Sequence, residues 1–114
     1  MIEKDKFKLS IIIPCFNEKN TINVILKKIR ESLKYHEIIE YEIIIVDDSS
    51  NDGTTEILKN LMDKEKIKIY FHDINLGKGA AIHTALKNIT GDITIIQDAD
   101  LEYDPNDLLK FEEV

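Results

Sequence analysis

Four short apolar runs punctuate the chain: Leu9-Ser10-Ile11-Ile12-Ile13, Glu42-Ile43-Ile44-Ile45-Val46, Ile67-Lys68-Ile69-Tyr70-Phe71 and Ile93-Thr94-Ile95-Ile96. All are rich in β-branched residues, and the first, second and fourth are almost continuously apolar. That is the pattern of strands covered on both faces, as in a parallel sheet. The segments between them carry helical spacing. Ile22, Leu26, Ile29 and Leu33 form one stripe, with Lys27, Lys28 and Glu31 on the other side; Ile57, Leu58, Leu61 and Met62 form a second; Ile82, Ala85, Leu86 and Ile89 a third. Asp52-Gly53 precedes the second helix and Gly77 to Gly79 open the third. Pro105, with Asp104 as its cap, would begin a fourth. The order β-α-β-α-β-α-β-α predicts an α/β fold: a Rossmann-like, mainly parallel sheet with right-handed crossovers and helices on both faces.

Length and composition narrow the function classes. A chain of 114 residues makes at most one domain, and 43% hydrophobic residues suffice for a core. The net charge of -7 argues against a nucleic-acid partner, which would want a basic face, and lends nothing to docking on anionic lipid. Cys15 is the sole cysteine, so no intrachain disulfide forms, which fits a reducing compartment. The charged start MIEKDKFKLS has no apolar signal core, and no apolar run approaches the roughly 20 residues of a membrane span. These features predict a soluble, cytoplasmic chain.

In a parallel α/β sheet, ligands bind beyond the carboxyl ends of the strands. Read at those ends only, the sequence turns polar four times: Pro14-Cys15-Phe16-Asn17-Glu18, Asp47-Asp48-Ser49-Ser50-Asn51-Asp52-Gly53, His72-Asp73-Ile74-Asn75-Leu76-Gly77-Lys78-Gly79, and Asp98-Ala99-Asp100-Leu101-Glu102. Asp98 and Asp100, two apart in an extended segment, can face one point. Paired carboxylates need a cation or a shared proton, and oxygen-only ligands favour magnesium or manganese. The plainer alternative is that these acids cap the fourth helix and face water. Asp47 reads as a turn former. Asp48 divides between the turn into Asp52-Gly53-Thr54 and a contact to a nucleobase or ribose. Gly77-Lys78-Gly79 at a helix start suits an anion or close packing against the sheet, and is neither a P-loop nor GxGxxG. His36, His72 and His83 lack metal spacing and read as structural or solvated. Cys15 has no catalytic partner in sequence. A signalling receiver would carry its Asp pair after the first strand, where Pro14-Cys15 stand; a haloacid-dehalogenase phosphatase would carry DxD there too.

Taken in order, Pro14-x-x-Asn17-Glu18, Val46-Asp47-Asp48-Ser49-Ser50-x-Asp52-Gly53-Thr54, Asn75-x-Gly77-Lys78-Gly79 and Asp98-Ala99-Asp100 resemble the family-two inverting glycosyltransferases of the GT-A fold. DADLE and GKGAA are similar to the polyprenyl- or dolichyl-phosphate sugar synthase branch. The resemblance implies a nucleotide-diphosphate sugar as donor and a divalent metal, magnesium or manganese. Pro14, Phe16 and Glu18 would line the nucleoside pocket, with Val46, Asp48, Lys78 and Ala99 among the donor-binding residues. Asp98 and Asp100 would act as the catalytic DxD pair, and Glu102 would join them as a metal ligand. The acceptor would be a lipid phosphate or a glycan, and the protein would work in the cytoplasm at the membrane face, associating peripherally through other regions. It also implies that residues 1–114 are the N-terminal, nucleotide-sugar-binding part, with the acceptor half absent. This sequence departs from the branch at Phe16, where Tyr is frequent, and at Glu102, where Gln is frequent. A fourth strand left at an exposed edge would invite association, including a homo-oligomer.

Overall fold

The computed structural model describes residues 7–35, 40–62, 64 and 66–99. Seven elements alternate: β1 (Lys8–Cys15), α1 (Ile22–Leu33), β2 (Glu40–Asp47), α2 (Thr54–Lys59), β3 (Ile67–Phe71), α3 (Lys78–Leu86) and β4 (Ile93–Ile96). The strands form one sheet in the order β3-β2-β1-β4, and each pairing is parallel. The chain therefore steps outward from β1 to β3 and then returns to the other side of β1. That reversal opens a crevice beyond the carboxyl ends of β1 and β4, the usual ligand position in such sheets. The predicted fourth helix, with Asp104 and Pro105, lies outside the described residues.

The apolar runs become the two central strands because both of their faces are covered. Alternation sends Ile11, Ile13, Ile43 and Ile45 to one face, where they pack with Ile22, Ile25, Leu26, Ile29 and Leu33 of α1 and Leu58 of α2. Ile12, Ile44 and Val46 go to the other face, against Ala81 and Ala85 of α3. Two expected helical stripes shift in the process. The second helix stops at Lys59 because the next turns tighten: Leu61 N–H donates to Leu58 O at 2.9 Å and Lys64 N–H to Leu61 O at 3.0 Å. Met62 consequently stays half exposed. The third helix meets the sheet through Ala81 and Ala85, small side chains that allow close approach, while Leu86 of the expected stripe is 45% exposed.

The fourth strand takes the exposed edge expected of it and lacks the cover that its apolar run predicts. Its apolar run predicts cover on both faces, yet β4 pairs only with β1 and leaves Ile93 46% and Ile96 48% exposed among the described residues. An edge strand has one neighbour, so continuous apolar character alone does not make it central. Its entry is fixed at Gly91. A β-carbon there would lie 2.4 Å from Ser10 Oγ and 2.9 Å from both Lys8 O and Ser10 N. Two of those contacts are backbone atoms in the middle of the sheet, which cannot move aside. Gly91→Ala is therefore expected to destabilise the chain by about 2 kcal/mol, read as a lowered urea midpoint with an unchanged slope.

Candidate functional site

The carboxyl ends of the strands surround a cavity of about 420 Å³ lined by Pro14, Cys15, Phe16, Glu18, Asp48, Asn75, Gly77, Lys78, Ala81, Asp98 and Ala99. These residues come from the end of β1, the loops after β1, β2, β3 and β4, and the first turn of α3. Seven of the expected site residues thus face one space: Pro14, Phe16, Glu18, Asp48, Lys78, Asp98 and Ala99. Val46 does not join them. Its side chain is fully buried with Ile12, Ile44 and the α3 alanines, because strand alternation turns it into the core. Asp100 and Glu102, expected metal ligands, lie outside the described residues.

The loops after β1 and β2 clamp one another. Asn17 N–H donates to Ser50 Oγ at 2.9 Å, and Asn51 N–H donates back to Asn17 Oδ1 at 2.9 Å. Asn17 and Ser49 accept left-handed backbone, with φ of 54° and 64°, to make these turns. Glu18 is anchored by its own N–H to Thr54 Oγ1 at 2.9 Å, while its carboxylate accepts from Thr21 Oγ1 at 2.8 Å. Phe16 is left 43% exposed on the cavity wall, an apolar surface in the open.

The neighbouring acids at the end of β2 divide their work. Asp47 shapes the turn: it accepts from Ser50 N–H at 3.1 Å and from the Ser50 and Thr55 hydroxyls. Asp48 reaches across to the β3–α3 loop. Its Oδ1 accepts Leu76 N–H at 2.8 Å and faces His72 Nδ1 at 2.8 Å; its Oδ2 accepts Gly77 N–H at 2.8 Å. Burial alone would raise the Asp48 pKa, but the N–H groups of Leu76, His72 and Gly77 outweigh it and hold the carboxyl below the usual range. Gly77 caps α3 with φ 101° and ψ 162°, a conformation open to glycine and strained for other residues. Four lone-pair positions serve a carboxylate. Three are taken here, which leaves one on Oδ2.

Two further groups complete the electrostatics. Lys78 Nζ pairs with Asp98 Oδ1 at 2.6 Å across the cavity, the lysine 58% and the aspartate 26% exposed. Cys15 sits at the floor, and its thiol pKa is driven strongly upward, first by burial and then by Asp47, Glu18 and Asp52. It stays a protonated, inert thiol. Sequence reasoning missed the placement of His72, whose ring spans Asp48 and Thr84; the only signal was its position just past a strand end.

Of the three expected metal ligands, the described residues place Asp98 at the cavity. Asp98 offers hard oxygen to the cavity and already holds a cation, the Lys78 ammonium, as its counter-charge. Among the described residues no group of three His, Cys, Asp or Glu side chains could hold an ion by itself. Among the same residues, no helix is long and apolar enough to cross a membrane.

Residues 10–113 match the family described as glycosyl transferase family 2. The chain is 33% identical to dolichol-phosphate mannosyltransferase of Pyrococcus furiosus, over 86% of this chain and 27% of that protein. It is 35% identical to undecaprenyl-phosphate 4-deoxy-4-formamido-L-arabinose transferase of Proteus mirabilis, over 89% of this chain and 31% of that protein. Among solved structures, a mannosyltransferase from Pyrobaculum calidifontis in complex with GDP-Man and Mn2+ superposes with a TM-score of 0.75 at 28% identity, covering 91% of this chain and 30% of that one. TarS of S. aureus in complex with UDP-GlcNAc gives 0.73 at 27% identity, covering 93% and 30%. The parallel sheet with flanking helices is that of GT-A glycosyltransferases. The chain spans roughly a third of the length of these relatives.

Proposed function

Because this chain belongs to glycosyl transferase family 2, we propose that its strand-end cavity binds a nucleotide-diphosphate sugar together with a divalent metal. It would form the donor half of an inverting transfer to a polyprenyl phosphate or glycan. The observation that carries this reading is the convergence of Pro14, Phe16, Glu18, Asp48, Lys78, Asp98 and Ala99 on one cavity of about 420 Å³. That volume is in the range of small-ligand sites.

Each group has a task that its chemistry suits. Phe16 offers an aromatic face to a base. Asp48 has one lone-pair position left for an N–H or O–H of base or ribose. Lys78 brings a flexible ammonium to the diphosphate as a point charge. Asp98, with Asp100 and Glu102 as expected partners, would hold the metal. When bound, the metal supplies Lewis-acid stabilisation of the departing nucleoside diphosphate. The acceptor oxygen would attack the anomeric carbon from the face opposite the leaving group, inverting it. Similar structures hold GDP-Man with Mn2+ and UDP-GlcNAc, which supports a nucleotide sugar and leaves the base open. The dolichol- and undecaprenyl-phosphate names of two relatives support a lipid-phosphate acceptor and work at a membrane surface.

A second reading keeps nucleotide and metal binding without transfer; the share of the relatives' length that this chain spans favours it for the 114 residues alone. Calorimetric titration with UDP and with GDP, each with and without manganese, tests the donor site. Metal-dependent binding of one is the expected result, and binding of neither to folded protein would remove the reading. Sugar transfer to a polyprenyl phosphate separates enzyme from binding module. Asp48→Ala is expected to weaken nucleoside binding about tenfold even without metal, the worth of a hydrogen bond to a charged group. Unaltered affinity of that variant would take Asp48 out of the pocket.

A further inference from the structure

His72 lies behind the cavity, not on its wall, yet it joins three elements. Its backbone N–H donates to Asp47 O at 2.9 Å, which roots the residue beside β2. Its ring then bridges Asp48 Oδ1 through Nδ1 at 2.8 Å and Thr84 Oγ1 of α3 through Nε2 at 2.8 Å. We infer that His72, tethered by Thr84, is a positioning residue that aims the Asp48 carboxylate at the bound nucleoside. The inference rests on the donor-site reading above and adds to it two residues outside the cavity lining.

Geometry assigns the roles. An ionised carboxylate only accepts, so Nδ1 must carry the proton of the bond to Asp48. Nε2 is then met by a hydroxyl that can donate or accept, which suits the ring in either protonation state. The two loop amides approach Asp48 from Leu76 and Gly77, adjacent residues of one segment. Held by that segment alone, the carboxylate could rotate with it. His72 supplies a third hold from the start of that loop, where its N–H is rooted on β2 and Thr84 of α3 fixes its ring. Together the three donors leave the open Oδ2 position as the place where a nucleoside donor can land. A histidine that merely filled space would need neither tether.

The test has two arms. In the nucleotide-free chain, at a pH where the ring is neutral, nitrogen-15 spectroscopy of His72 is expected to show the Nδ1–H tautomer; the Nε2–H tautomer would overturn the inference. In the second arm, the affinity for UDP or GDP is measured in His72→Phe, His72→Asn and Thr84→Val, each alone and combined with Asp48→Asn. His72→Phe should lose about tenfold and Thr84→Val about threefold, while His72→Asn, which keeps an N–H near the Nδ1 position, should recover much of the loss. In the Asp48→Asn background these losses should largely vanish, since residues acting through one group are not additive. Losses that persist undiminished there would overturn the inference. Should His72→Phe fail to fold, Thr84→Val and His72→Asn carry the same cycle. A folded wild-type chain that binds neither nucleotide removes the donor-site reading instead, and the tautomer then decides the positioning role.

Discussion

Asp98→Ala is expected to abolish the manganese-dependent part of nucleotide affinity, a loss of roughly 100-fold, with the fold intact. Asp98 stands at the mouth of the cavity beyond β4, a quarter exposed, and its charge is balanced by Lys78 at 2.6 Å. Removing it takes a hard oxygen ligand from the metal and leaves no buried group without a partner, so stability should stay within about 0.5 kcal/mol. Metal-free affinity should hold, because Asp98 would act on the nucleotide through the metal. Asp100→Ala is expected to act in the same way on metal dependence. Calorimetry with and without manganese reads both effects, and unchanged metal dependence in both variants would rule out the metal site.

The second large effect lies at the other end of the sheet. Glu42 is a buried acid on β2, held by four donors, Ser10 Oγ at 2.6 Å, Thr90 N–H at 2.7 Å, Thr90 Oγ1 at 3.1 Å and the Lys68 ammonium at 2.9 Å, with the Lys8 ammonium as an ion pair at 3.7 Å. Burial alone would raise its pKa. The bonds from Ser10, Thr90 and Lys68 win, and bring it from an ordinary 4.5 to about 2. The folded value lies below the unfolded one, so ionised Glu42 stabilises the chain fully above about pH 4.5, and this contribution is lost as pH falls toward 2. The gap corresponds to about 3 kcal/mol, a large share of the ~5–15 kcal/mol that holds a domain together. Urea melts of wild type from pH 6 to pH 2 should therefore fall steeply. Glu42→Gln should start lower and fall less steeply, converging on wild type in acid. A variant parallel to wild type across that range would show that Glu42 does not drive the acid sensitivity.

Much of this was legible along the chain, for identifiable reasons. The central strands announced themselves because Ile11–Ile13 and Ile43–Val46 must be apolar on both faces; β1 and β2 extend those runs by one to three residues at each end. The division between Asp47 and Asp48 was half legible: a turn signal follows both, but only the fold brings Leu76 and Gly77 to one of them. Glu42 stands at the head of an apolar run with no local sign of its role, since its partners Ser10 and Thr90 lie 32 and 48 residues away. His72 was opaque for the same reason, needing Thr84 across a helix to gain a role. The edge position of β4 follows from sheet order, and alternation of strands and helices predicts parallel pairing without saying which strand lies beside β1. Of the α3 alanines against the sheet, Ala85 belongs to the expected stripe, whereas Ala81 does not, because a small residue in contact with a sheet looks like a neutral one in a helix.

The staple at Asp48 also bears on how fast a donor can enter. The segment from His72 to Gly77 borders the cavity, and Asp48 fixes it through both carboxylate oxygens by bonds internal to the protein. Ordering such a segment upon binding would consume part of the interaction energy and slow the encounter. Bonds internal to the protein need no ligand to form, so that ordering would be largely in place beforehand. Association of a nucleotide should then be limited by diffusion and orientation, and differences among nucleotides should lie in their residence times.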